Sequence, residues 1–252
     1  MEYLRFGNET GETLVILPGL SLKSVLGAAD AIRAAYASLA KRYDVYLFDH
    51  VREEPKGYRI EDMARDTLLS FDRLHLERVH LMGVSMGGMV AQAIALTAPE
   101  RVRSLILCST AMNSAHADAA VFDGWRTLAE ARDARALAEA FGQSVYTPSF
   151  FTRFRDVIVS SGDGATELDF RNFLISLDAI ARFDVSETVR RIACPAFVIG
   201  AGEDRVLGTE ASRELADALR CPCRIYAGYG HGAYDEAPDY RARIEEFLNA
   251  LD

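Results

Sequence analysis

Positive charge is in short supply. The chain has 28 Lys and Arg against 37 Asp and Glu, a formal net charge of −9. Such a surface has no cation excess with which to neutralise phosphates, so a nucleic-acid partner is excluded. Long apolar runs are also missing. No stretch approaches the ~20 residues a membrane helix needs, and no membrane partner is expected. Met1-Glu2-Tyr3-Leu4-Arg5 is mixed and short, unlike a basic segment leading into an apolar leader. Cysteine is sparse, at positions 108, 194, 221 and 223. None forms a Cys-x-x-Cys pair, and Cys221-Pro222-Cys223 is too close for an easy disulfide. Read as reduced thiols, they imply a cytoplasmic setting. The five histidines are scattered without ligand spacing, so no metal site is expected. There is no repeat and no low-complexity segment.

What remains is ordinary for one globular α/β domain with an insertion: 252 residues, half of them hydrophobic. Apolar runs that read as buried strands occur at Thr13–Leu17, Val45–Phe48, Val79–Met82, Ser104–Cys108, Ala196–Ile199 and Arg224–Tyr226. Between them lie helical stretches at Ala28–Lys41, Ile60–Leu74, Met86–Ala98 and Thr209–Leu219, with a last one at Asp239–Leu251. Alternation of this kind implies a parallel sheet covered by helices on both faces.

The alternation breaks from Met112 to Asp184. This stretch reads as helices only, at Asp118–Gly142, Ser149–Ser161 and Glu167–Phe183, with a mobile turn at Ser160–Gly164. The expected organisation is therefore a core of residues 1–111 and 185–252, and a helical lid of residues 112–184. Ten aromatic residues fall in the lid. Most serve to pack it on the core; the rest are available to line an apolar pocket. Arg153 and Arg155 suit a carboxylate or, more simply, a charged surface.

The densest chemical signal is Met82-Gly83-Val84-Ser85-Met86-Gly87-Gly88, between a strand and a small-residue helix. Glycines two before and two after Ser85 let the backbone turn tightly enough to hold the serine in a strained, exposed position at a helix N-terminus. From there its hydroxyl can attack an acyl carbon while the Met86 N–H faces the oxygen that becomes negative. The plain alternative is a helix N-cap. Serine needs a base and an orienting acid. Strand Ala196–Ile199 runs into Gly200-Ala201-Gly202-Glu203-Asp204, and strand Arg224–Tyr226 is followed by Gly228-Tyr229-Gly230-His231-Gly232. Asp204 is the candidate acid, with Glu203 as the alternative. His231 is the candidate base, the alternative being a loop histidine paired with Asp235. His80 reads as a buried, satisfied residue, and His50, His75 and His116 as surface or loop residues.

Elbow, acid and base, in that order and each after its own strand, resemble the α/β-hydrolase superfamily, in particular its small-ester hydrolases and enol-lactonases. The resemblance implies a mostly parallel eight-stranded sheet flanked by helices, with a helical lid. It implies a serine hydrolase cleaving a small, apolar ester or lactone through an acyl-enzyme, with neither metal nor organic cofactor. It also assigns a second oxyanion donor, the N–H of Leu20 in Pro18-Gly19-Leu20-Ser21, beside that of Met86; a plain strand-ending turn is the other reading of this segment. The region Asp49–Gly57 departs from the family's Asp-x-x-Gly-x-Gly-x-Ser: Asp49 is kept, the glycines are not. Rival readings are a carbon–carbon bond hydrolase with the same triad, a lyase or cofactor-free oxygenase, and a small-ligand receptor with slow turnover. A homo-oligomer is left open.

Overall fold

The computed structural model describes residues 1–251. Strands β1 (Tyr3–Gly7) and β2 (Thr13–Leu17) open the chain. They are followed by α1 (Ala29–Ala35), β3 (Asp44–Phe48), α2 (Ile60–Arg73), β4 (Val79–Val84), α3 (Met86–Thr97) and β5 (Val102–Cys108). Four helices come next without an intervening strand: α4 (Ala119–Glu130), α5 (Ala134–Val145), α6 (Pro148–Ser160) and α7 (Glu167–Arg182). Strand β6 (Ala196–Ala201), α8 (Thr209–Leu219), β7 (Cys223–Tyr226), α9 (Ala233–Glu236) and α10 (Tyr240–Asn249) complete the chain.

The sheet has the order β1-β3-β2-β4-β5-β6-β7. Every pairing is parallel except β1 with β3. The described residues hold seven strands rather than the eight implied by family resemblance. Residues 8–12, between β1 and β2, make a tight turn closed by the Gly11 N–H on the Asn8 carbonyl, and β1 forms the edge of the sheet beside β3. Sequence reading also missed β1. It is an edge strand with alternating, half-exposed residues, so it lacks the apolar run that marks the buried strands.

Side-chain alternation divides the core into two layers. Leu14 and Ile16 face Tyr36, Leu39, Tyr240 and Ile244 on the α1 and α10 side. Val15 and Leu17 face Met63, Phe71, Met89 and Ala93 on the α2 and α3 side. Helix α3 is buried on all sides from Met86 to Ala95, which explains why it is apolar throughout rather than amphipathic. It crosses the sheet so closely that a Cβ on Gly83 would lie 2.3 Å from the Gly87 carbonyl oxygen.

The inserted helices leave the sheet after β5 and return before β6. Their stems meet at an antiparallel bridge, Asn113 with Asp184, and the Val185 N–H donates to the Met112 carbonyl at 2.9 Å. The helix expected over Asp118–Gly142 is two helices. Arg132 takes a left-handed conformation (φ 61°), and the Asp133 carboxylate then caps α5 by accepting the Ala136 N–H. The helix expected over Ala28–Lys41 is likewise broken, α1 being flanked by 3₁₀ turns at Val25–Ala28 and Leu39–Lys41. The Ser160–Gly164 turn is tied down: Arg135 pairs with the Asp163 carboxylate and Lys23 Nζ donates to the Asp163 carbonyl at 2.6 Å.

Candidate active site

Four strands deliver the candidate residues, all from their carboxyl ends. Register sets Leu17 of β2 beside Gly83 of β4, Val84 beside Cys108 of β5, Cys108 beside Ile199 of β6, and Ala201 beside Tyr226 of β7. The loops that follow therefore open on one edge of the sheet, where the crevice of a parallel α/β fold lies.

Ser85 follows β4 directly, with φ 51° and ψ −119°. Only neighbouring structure holds a non-glycine residue in that region. Its N–H donates to the Cys108 carbonyl at 2.8 Å, and its own carbonyl accepts the Thr110 hydroxyl at 2.7 Å. The half-buried serine thus stands clear of the sheet with its backbone fixed on both sides.

His231 lies 3% exposed in the loop after β7. Its Nδ1–H donates to Asp204 Oδ2 at 2.8 Å, which leaves Nε2 to accept the Ser85 hydroxyl at 3.0 Å. The loop is anchored to the insertion: the Gly232 N–H donates to the Val145 carbonyl at 2.7 Å. Asp204 holds its other oxygen, Oδ1, against the N–H groups of Val206 and Leu207 at 2.8 and 2.9 Å. Burial pushes its carboxyl up, but the His231 charge and hydrogen bond and the two backbone donors outweigh it. The carboxyl sits below the usual carboxylate range. Both oxygens of the acid are engaged, which fixes its position.

Beside Ser85, a Cβ on Gly19 would come 3.2 Å from Ser85 Cβ. Glycine lets the loop after β2 lie flush against the serine, where a side chain would press on it more tightly than most Cβ contacts. This puts Leu20 next to the elbow, and Leu20, Met86, Ser85 and His231 all line one cavity. Met86 opens α3, so its N–H has no intrahelical acceptor. The Leu20 N–H also makes no hydrogen bond among the described residues.

Met89, Val206 and Leu207 form much of the remaining wall, with Phe122, Trp125, Phe141, Val145 and Ile180 from the insertion. Trp125 is sandwiched, its ring 5.3 Å from Phe122 and 4.6 Å from Phe141. None of the described residues lining this cavity is Lys, Arg, Asp or Glu.

The family model for the α/β hydrolase fold matches residues 12–238. The chain belongs to the α/β-hydrolase family. The RutD protein of Pseudomonas savastanoi pv. phaseolicola, named for carbamate hydrolysis, is 28% identical over 92% of this chain and 94% of its own length. The enol-lactonase of Burkholderia xenovorans LB400 superposes with a TM-score of 0.82 at 25% identity, covering 98% of this chain and 96% of that one. An esterase of Thermogutta terrifontis superposes at 0.80 with 21% identity, covering 99% and 93%. That likeness is one of fold. Family and relatives together place the chain among the α/β hydrolases.

Within this α/β-hydrolase the other candidates separate cleanly. Glu203 is exposed and it is Asp204 that bonds His231, while Asp235 accepts the Tyr146 hydroxyl at 2.9 Å. His80 is buried and satisfied by Ser104 and Glu12. His116 bonds Glu214, and His75 is exposed. Arg155 pairs with Glu139 and Arg153 lies over Phe154, so both belong to the surface. Of the ten inserted aromatics, Phe122, Trp125 and Phe141 reach the cavity. Sequence reading passed over Thr110 and Val145, whose roles lie in a hydroxyl and a carbonyl brought in from other elements. The one available signal for Thr110 was its place two residues beyond β5, the strand next to the elbow.

Proposed function

We propose that the chain is a serine hydrolase of small, neutral, apolar esters or lactones. Ser85 is the nucleophile, His231 the general base and Asp204 the group that fixes the imidazole tautomer and stabilises the imidazolium. The observation that carries this reading is the unbroken path from Asp204 Oδ2 through His231 to Ser85 Oγ, at 2.8 and 3.0 Å. His231 takes the serine proton as Oγ attacks the carbonyl carbon, and Leu20 and Met86 N–H groups receive the developing oxyanion. His231 then returns the proton to the departing alcohol. Water, deprotonated by the same imidazole, releases the acid and restores Ser85.

Substrate class follows from the cavity wall. A free carboxylate or ammonium would be desolvated there without a counter-charge, at a cost of several kcal/mol. An apolar acyl or alcohol group meets Met, Phe, Leu and Val side chains instead. Residues 112–184 act as the lid that closes over this group, with Phe122, Trp125 and Phe141 as its underside. The same absence of cations disfavours carbon–carbon cleavage of acidic substrates.

The test is Ser85→Ala assayed on short p-nitrophenyl esters. Turnover is expected to drop by roughly 10⁶, the scale seen when a triad serine is removed. A fluorophosphonate should add to Ser85, read by peptide mass spectrometry. Wild-type turnover in the variant ends the proposal.

A further inference from the structure

The loop after β3 is where this chain parts from the family pattern, and it carries His50. Pairing of β2 with β3 is parallel and in constant register, ending with Ile16 beside Leu47. Continued past the strand ends, that register sets Gly19 beside His50. Contact follows: His50 Nε2 lies 3.0 Å from the Gly19 carbonyl oxygen. A carbonyl only accepts, so Nε2 carries the proton and donates.

Gly19 and Leu20 share one peptide unit, and the described residues contain no cis peptide bond. In a trans unit the C=O of one residue and the N–H of the next lie in a plane and point in opposite directions. A donor holding the Gly19 oxygen on one side therefore aims the Leu20 N–H to the other, the side of Ser85 and the cavity. The aim needs holding. Gly19 has no side chain and sits tightly against Ser85, and glycine tolerates rotated backbone states that other residues resist. A rotation of this peptide would turn the Leu20 N–H away from the site.

We propose that His50 is a positioning residue for the oxyanion hole, acting through the Gly19–Leu20 peptide; this rests on the acyl-enzyme reading above. Asp49 supports it. Its buried carboxylate accepts the His50 N–H at 2.9 Å and the Val25 N–H at 3.3 Å, and it also accepts the Ser24 hydroxyl. The loop after β2 is thus tied to the loop after β3 at both ends, by Gly19 on His50 and by Ser24 on Asp49. Burial pushes the His50 imidazole down against the opposing pull of the Asp49 charge, which keeps the ring neutral with its proton on Nε2.

The test compares His50→Phe and His50→Gln with wild type and Ser85→Ala. Phe fills the space and donates nothing; the Gln amide places a donor near the Nε2 position. For a p-nitrophenyl ester, His50→Phe should lower kcat by roughly 10–100-fold, less than the 10²–10³ for outright loss of an oxyanion donor. KM should stay within about twofold, since the bond acts on the transition state. A trifluoromethyl ketone, which forms a tetrahedral oxyanion on the serine, should bind more weakly by the same factor. His50→Gln should recover most of both. His50→Leu is read in place of Phe should the larger ring prevent folding. Wild-type kcat in the apolar variant, a loss in KM alone, inhibitor binding that does not follow kcat, or no recovery with Gln overturns the inference. Turnover surviving in Ser85→Ala instead overturns the acyl-enzyme reading. An inert Ser85→Ala beside a fully active His50→Phe removes only the role given to His50.

Discussion

At the scale of single residues, two carboxylates with opposite proton affinities frame the molecule's pH behaviour. Asp204 is held below the usual range and stays ionised beside His231. Asp204→Asn would keep the shape but leave His231 free to take the wrong tautomer. A kcat loss of about 10⁴ is expected, while Glu203→Gln, an exposed neighbour, should match wild type in the same assay. Glu54 is the opposite case. It is 2% exposed, it accepts the Ser176 hydroxyl at 3.1 Å, and burial pushes its carboxyl up to about 7 against the pull of Ser176 and Arg171. Between its unfolded value of 4.5 and about 7 the folded chain keeps a proton that the unfolded chain has lost. Stability contributed by this group is therefore present at low pH and is lost as pH rises through that window. Glu54→Gln removes the titration. Urea unfolding at pH 5 and pH 8 should find the variant close to wild type at the lower pH. At the higher pH it should be more stable by about 2–3 kcal/mol. A constant difference across the range would show that Glu54 does not titrate in the folded chain.

At the scale of elements, the central contact is α3 on β4. The Gly83 Cα faces the Gly87 and Gly88 backbone, and an added Cβ would meet three backbone atoms within 2.6 Å. A flexible side chain could move aside; backbone on both sides cannot. Gly83→Ala should therefore cost stability at the upper end of the ~1–3 kcal/mol typical of overpacking. It should also displace Ser85, two residues on, so thermal melts and ester turnover are expected to fall together. Legibility in the sequence follows the same physics. Buried strands such as Thr13–Leu17 and the elbow were readable because full burial and tight turning leave few residue choices. So were Asp204 and His231, each in a glycine-rich loop just past a strand. Strand β1 was not, because an edge strand accepts polar residues. The break between α4 and α5 was missed as well, although Asp133 is a good N-cap, because helical periodicity continues across Arg132. His50 carried no readable signal: its importance comes from a neighbour 31 positions away that only strand register brings to it.

At the scale of the whole molecule, the proposed reacting groups and the aromatic part of the cavity wall come from separate parts of the chain. Ser85, Asp204, His231, Leu20 and Met86 all stand on loops and helix ends of the sheet core, while Phe122, Trp125 and Phe141 close the cavity from the insertion. Hydrogen bonds join the two at the base: Gly232 to Val145 beside His231, and Thr147 to Glu236. The reacting groups should therefore tolerate a change in the far wall. Phe122 is half-buried and packs on Trp125, so its loss opens space without removing a fully buried side chain. Phe122→Ala is expected to shift kcat/KM across p-nitrophenyl esters from acetate to octanoate toward longer chains. Relative preference for octanoate over acetate should rise roughly tenfold, the discrimination one or two methylenes provide in an apolar pocket. Labelling of Ser85 by a small fluorophosphonate should keep its wild-type rate, because the path from Asp204 to Ser85 is untouched. A uniform loss on every ester, with slower labelling, would mean that the insertion supports the triad itself, and the division of labour between core and insertion would have to be abandoned.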